Sequence, residues 1–163
     1  MANRLLAALV ALSIGCAHYC TSGGLVGGIR SIGVPIAESQ TAEFDIAEAL
    51  SERAVNAYTR DGRLRVVDEE SADALLQMVV LRVEDKPFTY TSAEQTEQYR
   101  FLLRVSGQLV RTLDEEVLID FEPMEGWGTY DAALSDAEGR DPAIEKALDM
   151  VVEELIDRST SSW

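Results

Sequence analysis

Cys16, His18 and Cys20 bring together every cysteine and the single histidine of this 163-residue chain within five positions. A thiolate, an imidazole and a second thiolate are zinc-type donors, but a structural zinc site needs four ligands from a fixed frame. No Cys or His follows Cys20, so no metal is expected. Adjacent carboxylates such as Glu69-Glu70 and Glu153-Glu154 have the chemistry of an acid/base pair. With 29 Asp and Glu in the chain such neighbours arise by chance, and surface solvation is their ordinary role. No GxSxG, HExxH, Walker loop or EF-hand loop is present. The sequence therefore predicts no catalytic residue and no cofactor.

The 29 acids face 14 Lys and Arg, a formal charge of −15 and a pI near 4.3. Such a surface repels phosphate except at a local patch, which excludes a general nucleic-acid binder. Hydrophobic residues make up 47% of the chain and mean hydropathy is −0.03, so the acidity is not that of a disordered chain. One folded domain with one core is expected.

Arg4 and the amino terminus precede an apolar run from Leu5 to Ile14. This is the n-region and h-region of an export signal, and it is too short to span a bilayer. The run ends in Leu12-Ser13-Ile14-Gly15-Cys16, which resembles the lipobox of bacterial lipoproteins, with Ser13 where Leu, Val or Ile is usual. The resemblance implies cleavage between Gly15 and Cys16, diacylglyceryl transfer to the Cys16 thiol, and acylation of the new N-terminus. Ala17, in place of Asp, resembles the sorting signal for the outer membrane. The alternative is a secreted protein cut nearby, in which Cys16 and Cys20 form a small disulfide loop. Residues 1–16 read as the lipoprotein signal segment, and loss of the part before Cys16 leaves 13 cations against 29 acids, a charge of −16.

Residues 17–28, with Gly23, Gly24, Gly27 and Gly28, read as a flexible tether reaching about 20 Å. A single domain is expected over 29–159, followed by a tail at 160–163. Ile29 to Ala37 reads as a strand, with Pro35 at an edge or an end. A helix is predicted from Asp45 to Asp61, with Asp45-x-x-Glu48 as a capping box, Gly62 at C′, and Ala47, Leu50, Ala54 and Tyr58 as its core stripe. Arg63–Asp68 reads as a second strand and Ala74–Asp85 as a third, with Leu75, Val79, Leu81 and Val83 sharing one face. Gln98–Arg111 alternates as a fourth, with Tyr99, Phe101, Leu103, Val105 and Leu109 inward. Lys86 to Glu97 reads as a loop or hairpin arm carrying two exposed aromatics, Phe88 and Tyr90. A fifth strand, Glu116–Glu122, turns Val117, Ile119 and Phe121 inward and is ended by Pro123, Gly126 and Gly128. Asp141-Pro142 starts the last helix, about Pro142 to Ser159. The predicted class is α/β in the α+β sense: a two-layer sandwich of order β-α-β-β-β-β-α, with two helices on one face of a mostly antiparallel or mixed sheet of four to five strands.

Ile32-Gly33-Val34-Pro35, then Thr41, a helix, Asp61-Gly62-Arg63-Leu64-Arg65-Val66-Val67, and Ala72-Asp73-Ala74 before a long strand resemble the LptE family of lipopolysaccharide-assembly lipoproteins. The likeness covers nearly the whole chain. The same opening occurs in LpoB-like activators of peptidoglycan synthases and in TolB-like domains. The continuation, two long strands around Lys86-Pro87-Phe88-Thr89-Tyr90, a short strand and one terminal helix, is more similar to LptE. That resemblance implies a non-enzymatic lipoprotein at the periplasmic side of the outer membrane. There it would plug the LptD β-barrel, help it assemble and bind lipopolysaccharide. An LpoB-like protein would instead activate or scaffold another envelope protein, and a tether of about a dozen residues is short for reaching through a cell wall.

Independently of the resemblance, Arg100 and Arg104 project from the face opposite Leu103 and Val105, with Arg82 on the same face of the neighbouring strand. They could form a basic patch that takes phosphate through guanidinium groups. The plainer expectation is that Glu84, Glu116 and Asp120 pair with them across strands.

Overall fold

The structure, a computed structural model, describes residues 28–161. The export signal, the lipidation position Cys16 and most of the tether lie outside the described residues. The elements are β1 (Ser31–Gly33), β2 (Glu38–Ser39), α1 (Phe44–Asp61), β3 (Arg65–Val66), a 3-10 turn (Glu69–Ser71), β4 (Ala74–Tyr90), β5 (Thr96–Arg111), β6 (Val117–Asp131) and α2 (Arg140–Ser161). All six strands form one sheet in the order β3-β1-β4-β5-β6, with β2 also paired to β4. β1 and β2 both run parallel to β4, so the predicted first strand is one path broken at Val34–Ala37. Pro35, without an N–H, lies in that break. Ser51 of α1 accepts the Ala37 N–H at 2.8 Å across it.

The helices cover one face of the sheet, as predicted. Ala47, Leu50, Ala54 and Tyr58 of α1 are buried, as are Leu148, Val151 and Leu155 of α2. Tyr58 and Ser159 share a buried hydrogen bond of 2.5 Å, and burial pushes the Tyr58 hydroxyl up to about 12. Gly62 closes α1 with φ +72° and donates its N–H to the Tyr58 carbonyl. The expected capping box does not form: the N-cap residue is Glu43, with no side-chain cap bond. α2 begins two residues before Pro142, which a first-turn proline permits.

Two strand readings are corrected. On β4 the buried residues are Ala74, Leu76, Met78 and Val80, the parity opposite to Leu75, Val79 and Leu81. Both parities of this run are apolar, so alternation carries no signal there. β6 does not end at Pro123 but continues through both glycines to Asp131, and its Val117 is exposed. Pro123 is tolerated because β6 is the sheet edge and because a register shift falls at this point. A Cβ at Gly126 would stand 1.9 Å from the Ala147 carbonyl oxygen, and one at Gly128 2.4 Å from that of Ala143. These glycines let α2 lie directly on the β6 backbone.

Candidate functional site

The face of β4, β5 and β6 away from the helices carries the polar chemistry of the sheet. Its composition depends on two bulges. In β4 the register shifts between Val80, opposite Val105, and Arg82, opposite Arg104. Leu81 is the extra residue, and unbroken alternation would have carried Arg82, Glu84 and Lys86 into the core. In β6 a second shift separates Phe121, opposite Gly107, from Met124, opposite Val105. Gly126 and Gly128 therefore meet α2, and Trp127 between them turns outward.

Three cross-strand rows result: Arg82, Arg104 and Glu125; Glu84, Leu102 and Trp127; Lys86, Arg100 and Thr129. Four cations and two carboxylates share this grid, in a chain whose acids outnumber its bases two to one. Two of the rows set cation against cation across the strands, an arrangement that is destabilising without a counter-charge. Glu84 meets Arg82 and Lys86, each at 2.7 Å, and its bond from Lys86, with help from Arg82, holds its carboxyl below the usual range. Arg104 meets Glu125 at 3.5 Å.

Arg100 is different. Its guanidinium carbon lies 3.9 Å from the Phe88 ring centroid and 4.9 Å from that of Trp127. Its buried Nε has no hydrogen-bond partner among the described residues. Lys146 of α2 reaches round the sheet edge to within 5.0 Å of the Trp127 ring.

The structure thus gathers Arg82, Arg100, Arg104 and Phe88 on one face. Tyr90 stands beyond them at the hairpin tip, opposite Thr96 and 60% exposed. Phe88 and Tyr90 belong to β4 itself, which runs past the predicted loop start, and only residues 91–95 turn the chain. The expected ion pairs form only in part. Glu84 pairs along its own strand, Glu116 pairs with Arg111, and Asp120 lies opposite Gln108. Lys86, Glu125, Trp127 and Lys146 were not foreseen. The alternation Gly126-Trp127-Gly128 was the available signal for Trp127.

A polar cluster on the helix-covered face steadies this arm. Arg140, at the start of α2, donates to Asp85 of β4 at 3.0 Å and to Glu43, just before α1, at 2.9 Å. Burial works against its charge, but the two carboxylates outweigh that and hold it more firmly protonated than usual. Tyr130 of β6 also donates to Asp85, at 3.0 Å, and stacks on Tyr99 of β5. Burial, then the Asp85 contact, pushes the Tyr130 hydroxyl up to about 12. Among the described residues no group of three His, Cys, Asp or Glu is placed to hold a metal ion.

These features define a class: a small two-layer domain in which a β-α-β opening is continued by a long three-stranded meander and closed by a terminal helix. Solved structures share it. A Xanthomonas campestris protein of the DUF330 family matches with TM-score 0.59 and 15% identity, over 80% of this chain and 83% of that one. A putative lipoprotein from Caulobacter crescentus matches with TM-score 0.54 and 12% identity, over 78% and 88%. Uncharacterized lipoprotein B from Nitrosomonas europaea matches with TM-score 0.54 and 9% identity, over 80% and 85%. At these identities the likeness is one of fold. No curated protein sequence matches the chain. Residues 29–159 match LptE, the lipopolysaccharide-assembly family, and the chain belongs to that family.

Proposed function

We propose that this protein is an outer-membrane lipoprotein, anchored through Cys16 and facing the periplasm. It seats in an LptD-like β-barrel and helps deliver lipopolysaccharide to the outer leaflet, acting by binding and not by catalysis. The observation that carries the reading is the family match over the whole folded domain. The uncovered face of β4–β6 supports it, because a body of charge −16 after maturation can approach an anionic lipid only through a restricted cationic surface. Arg82, Arg100 and Arg104 with Phe88 and Tyr90 are the proposed contacts. No helix among the described residues is long and apolar enough to cross a membrane, which is compatible with attachment by lipid.

Purification of the tagged protein from detergent-solubilised outer membranes tests this. Recovery of a large β-barrel, and accumulation of lipopolysaccharide in the periplasm on depletion, are expected. Recovery of a peptidoglycan synthase without a barrel would replace the reading by an LpoB-like one. Loss of palmitate labelling in Cys16→Ser tests the anchor.

A further inference from the structure

We propose that Arg100, held between Phe88 and Trp127, is the anion-binding centre of the sheet face and takes a phosphate group on the headgroup of a glycolipid. Arg82 and Arg104 are secondary contacts on that face. This rests on the reading of the protein as a lipopolysaccharide-binding one, and it selects one residue among the cations of that face.

Every other cation of the three rows already has a carboxylate within 3.5 Å. Arg100 has none among the described residues; across the strand from it stands another cation, Lys86. The aromatic ring 3.9 Å away limits the motion of the guanidinium without satisfying its N–H groups. A fixed planar fork of donors suits an oxyanion. The Nε is buried and has no hydrogen-bond partner among the described residues, so no protein acceptor competes there for the guanidinium.

A phosphate fits better than a neutral polar group, because a dianion also relieves the repulsion between Lys86 and Arg100. Lys146, on the same Trp127 ring, is a second cation within reach of a charged headgroup. Leu102, Phe88 and Trp127 offer the same ligand an apolar surface, which favours a phosphate carried on an amphiphile over a free one.

The test is titration of the full lipidated protein in detergent with intact lipopolysaccharide and with the same lipid enzymatically dephosphorylated. Arg100→Gln is expected to weaken binding of the intact lipid about tenfold, the loss of one charge-assisted contact, and to leave binding of the dephosphorylated lipid unchanged. Arg100→Lys keeps the charge and loses the fork, so its binding falls between the two. Arg82→Gln and Arg104→Gln, whose guanidinium groups already meet carboxylates, are expected to weaken intact-lipid binding clearly less than Arg100→Gln does. If Arg100→Gln alters the circular dichroism spectrum, Phe88→Ala, which frees the guanidinium without removing it, must weaken intact-lipid binding instead. Wild-type affinity in Arg100→Gln, or equal loss on both lipids, overturns the site and leaves the proposed function standing. No binding of lipopolysaccharide by the wild-type chain removes both.

Discussion

Strands β1, β2 and β3 contribute three, two and two residues to the sheet, whereas β4, β5 and β6 contribute 17, 16 and 15. Short strands have few ladder bonds, so side chains hold the opening together. The Asp73 carboxylate accepts the N–H groups of Arg30 and Ser31 at 2.8 and 2.9 Å, and Ser31 Oγ accepts the Asp73 N–H in return. Those bonds hold the Asp73 carboxyl below its usual range. Gly33 leaves room for Leu75 and the backbone of Glu69, and Asp61 binds Arg63 beyond the Gly62 cap. The long arm instead relies on its main-chain ladders and on α2, which frees its outer side chains from any packing duty. The recognisable motifs, around Gly33, Gly62 and Asp73, are thus framework. The proposed binding residues lie instead on the outer face of the long arm.

The comparison can be broken at several points. The largest effect is expected at the junction of arm and helix. Gly126→Ala pushes a methyl into the Ala147 carbonyl and should destabilise the fold by about 3 kcal/mol, at the upper end of overpacking costs, read by urea unfolding. Next, Arg140→Gln removes the bonds to Glu43 and Asp85 and should cost about 2 kcal/mol. Hydrogen exchange should then quicken at Val83–Tyr90 and not at Ser31–Gly33; equal quickening in both would show that the two regions are one unit.

Asp73→Ala should cost about 1 kcal/mol, discounted for its exposure, and the loss should be seen first in β1. Because the native Asp73 pKa is depressed, its contribution is fully present above the unfolded value of about 3.9. It is lost as pH falls through the lower native value. The alanine variant should therefore show a shallower decline in acid. The smallest effect belongs to the outer face: Arg82→Gln and Arg104→Gln should stay within about 0.5 kcal/mol of wild type. A larger loss would mean that the face is structural.

Both helices and their buried stripes were readable because a period of 3.6 in apolar residues is a local property of the chain. So was the cap at Gly62, whereas Ile29 to Ala37 read as one strand with Pro35 at an edge or an end, and its division into β1 and β2 appears only in the fold. The site was half readable. Arg82, Arg100 and Arg104 were placed on one face, but Arg82 reaches it only through the bulge at Leu81. The aromatic setting of Arg100 depends on Phe88 and Trp127, 39 positions apart, from strands on either side of its own.

From residues alone came the acidic body, the two-layer α+β class, the expectation of export and lipidation, and the resemblance that pointed to the family and to binding in place of catalysis. Composition, periodicity and short motifs record these locally. The parity of β4, the continuation of β6 past Pro123, and the choice of Arg100 as the cation of the three outer rows without a carboxylate among the described residues were decided only by the tertiary structure. A one-residue shift against a neighbouring strand reverses every side chain that follows, and nothing within a single strand reports where its neighbour stands.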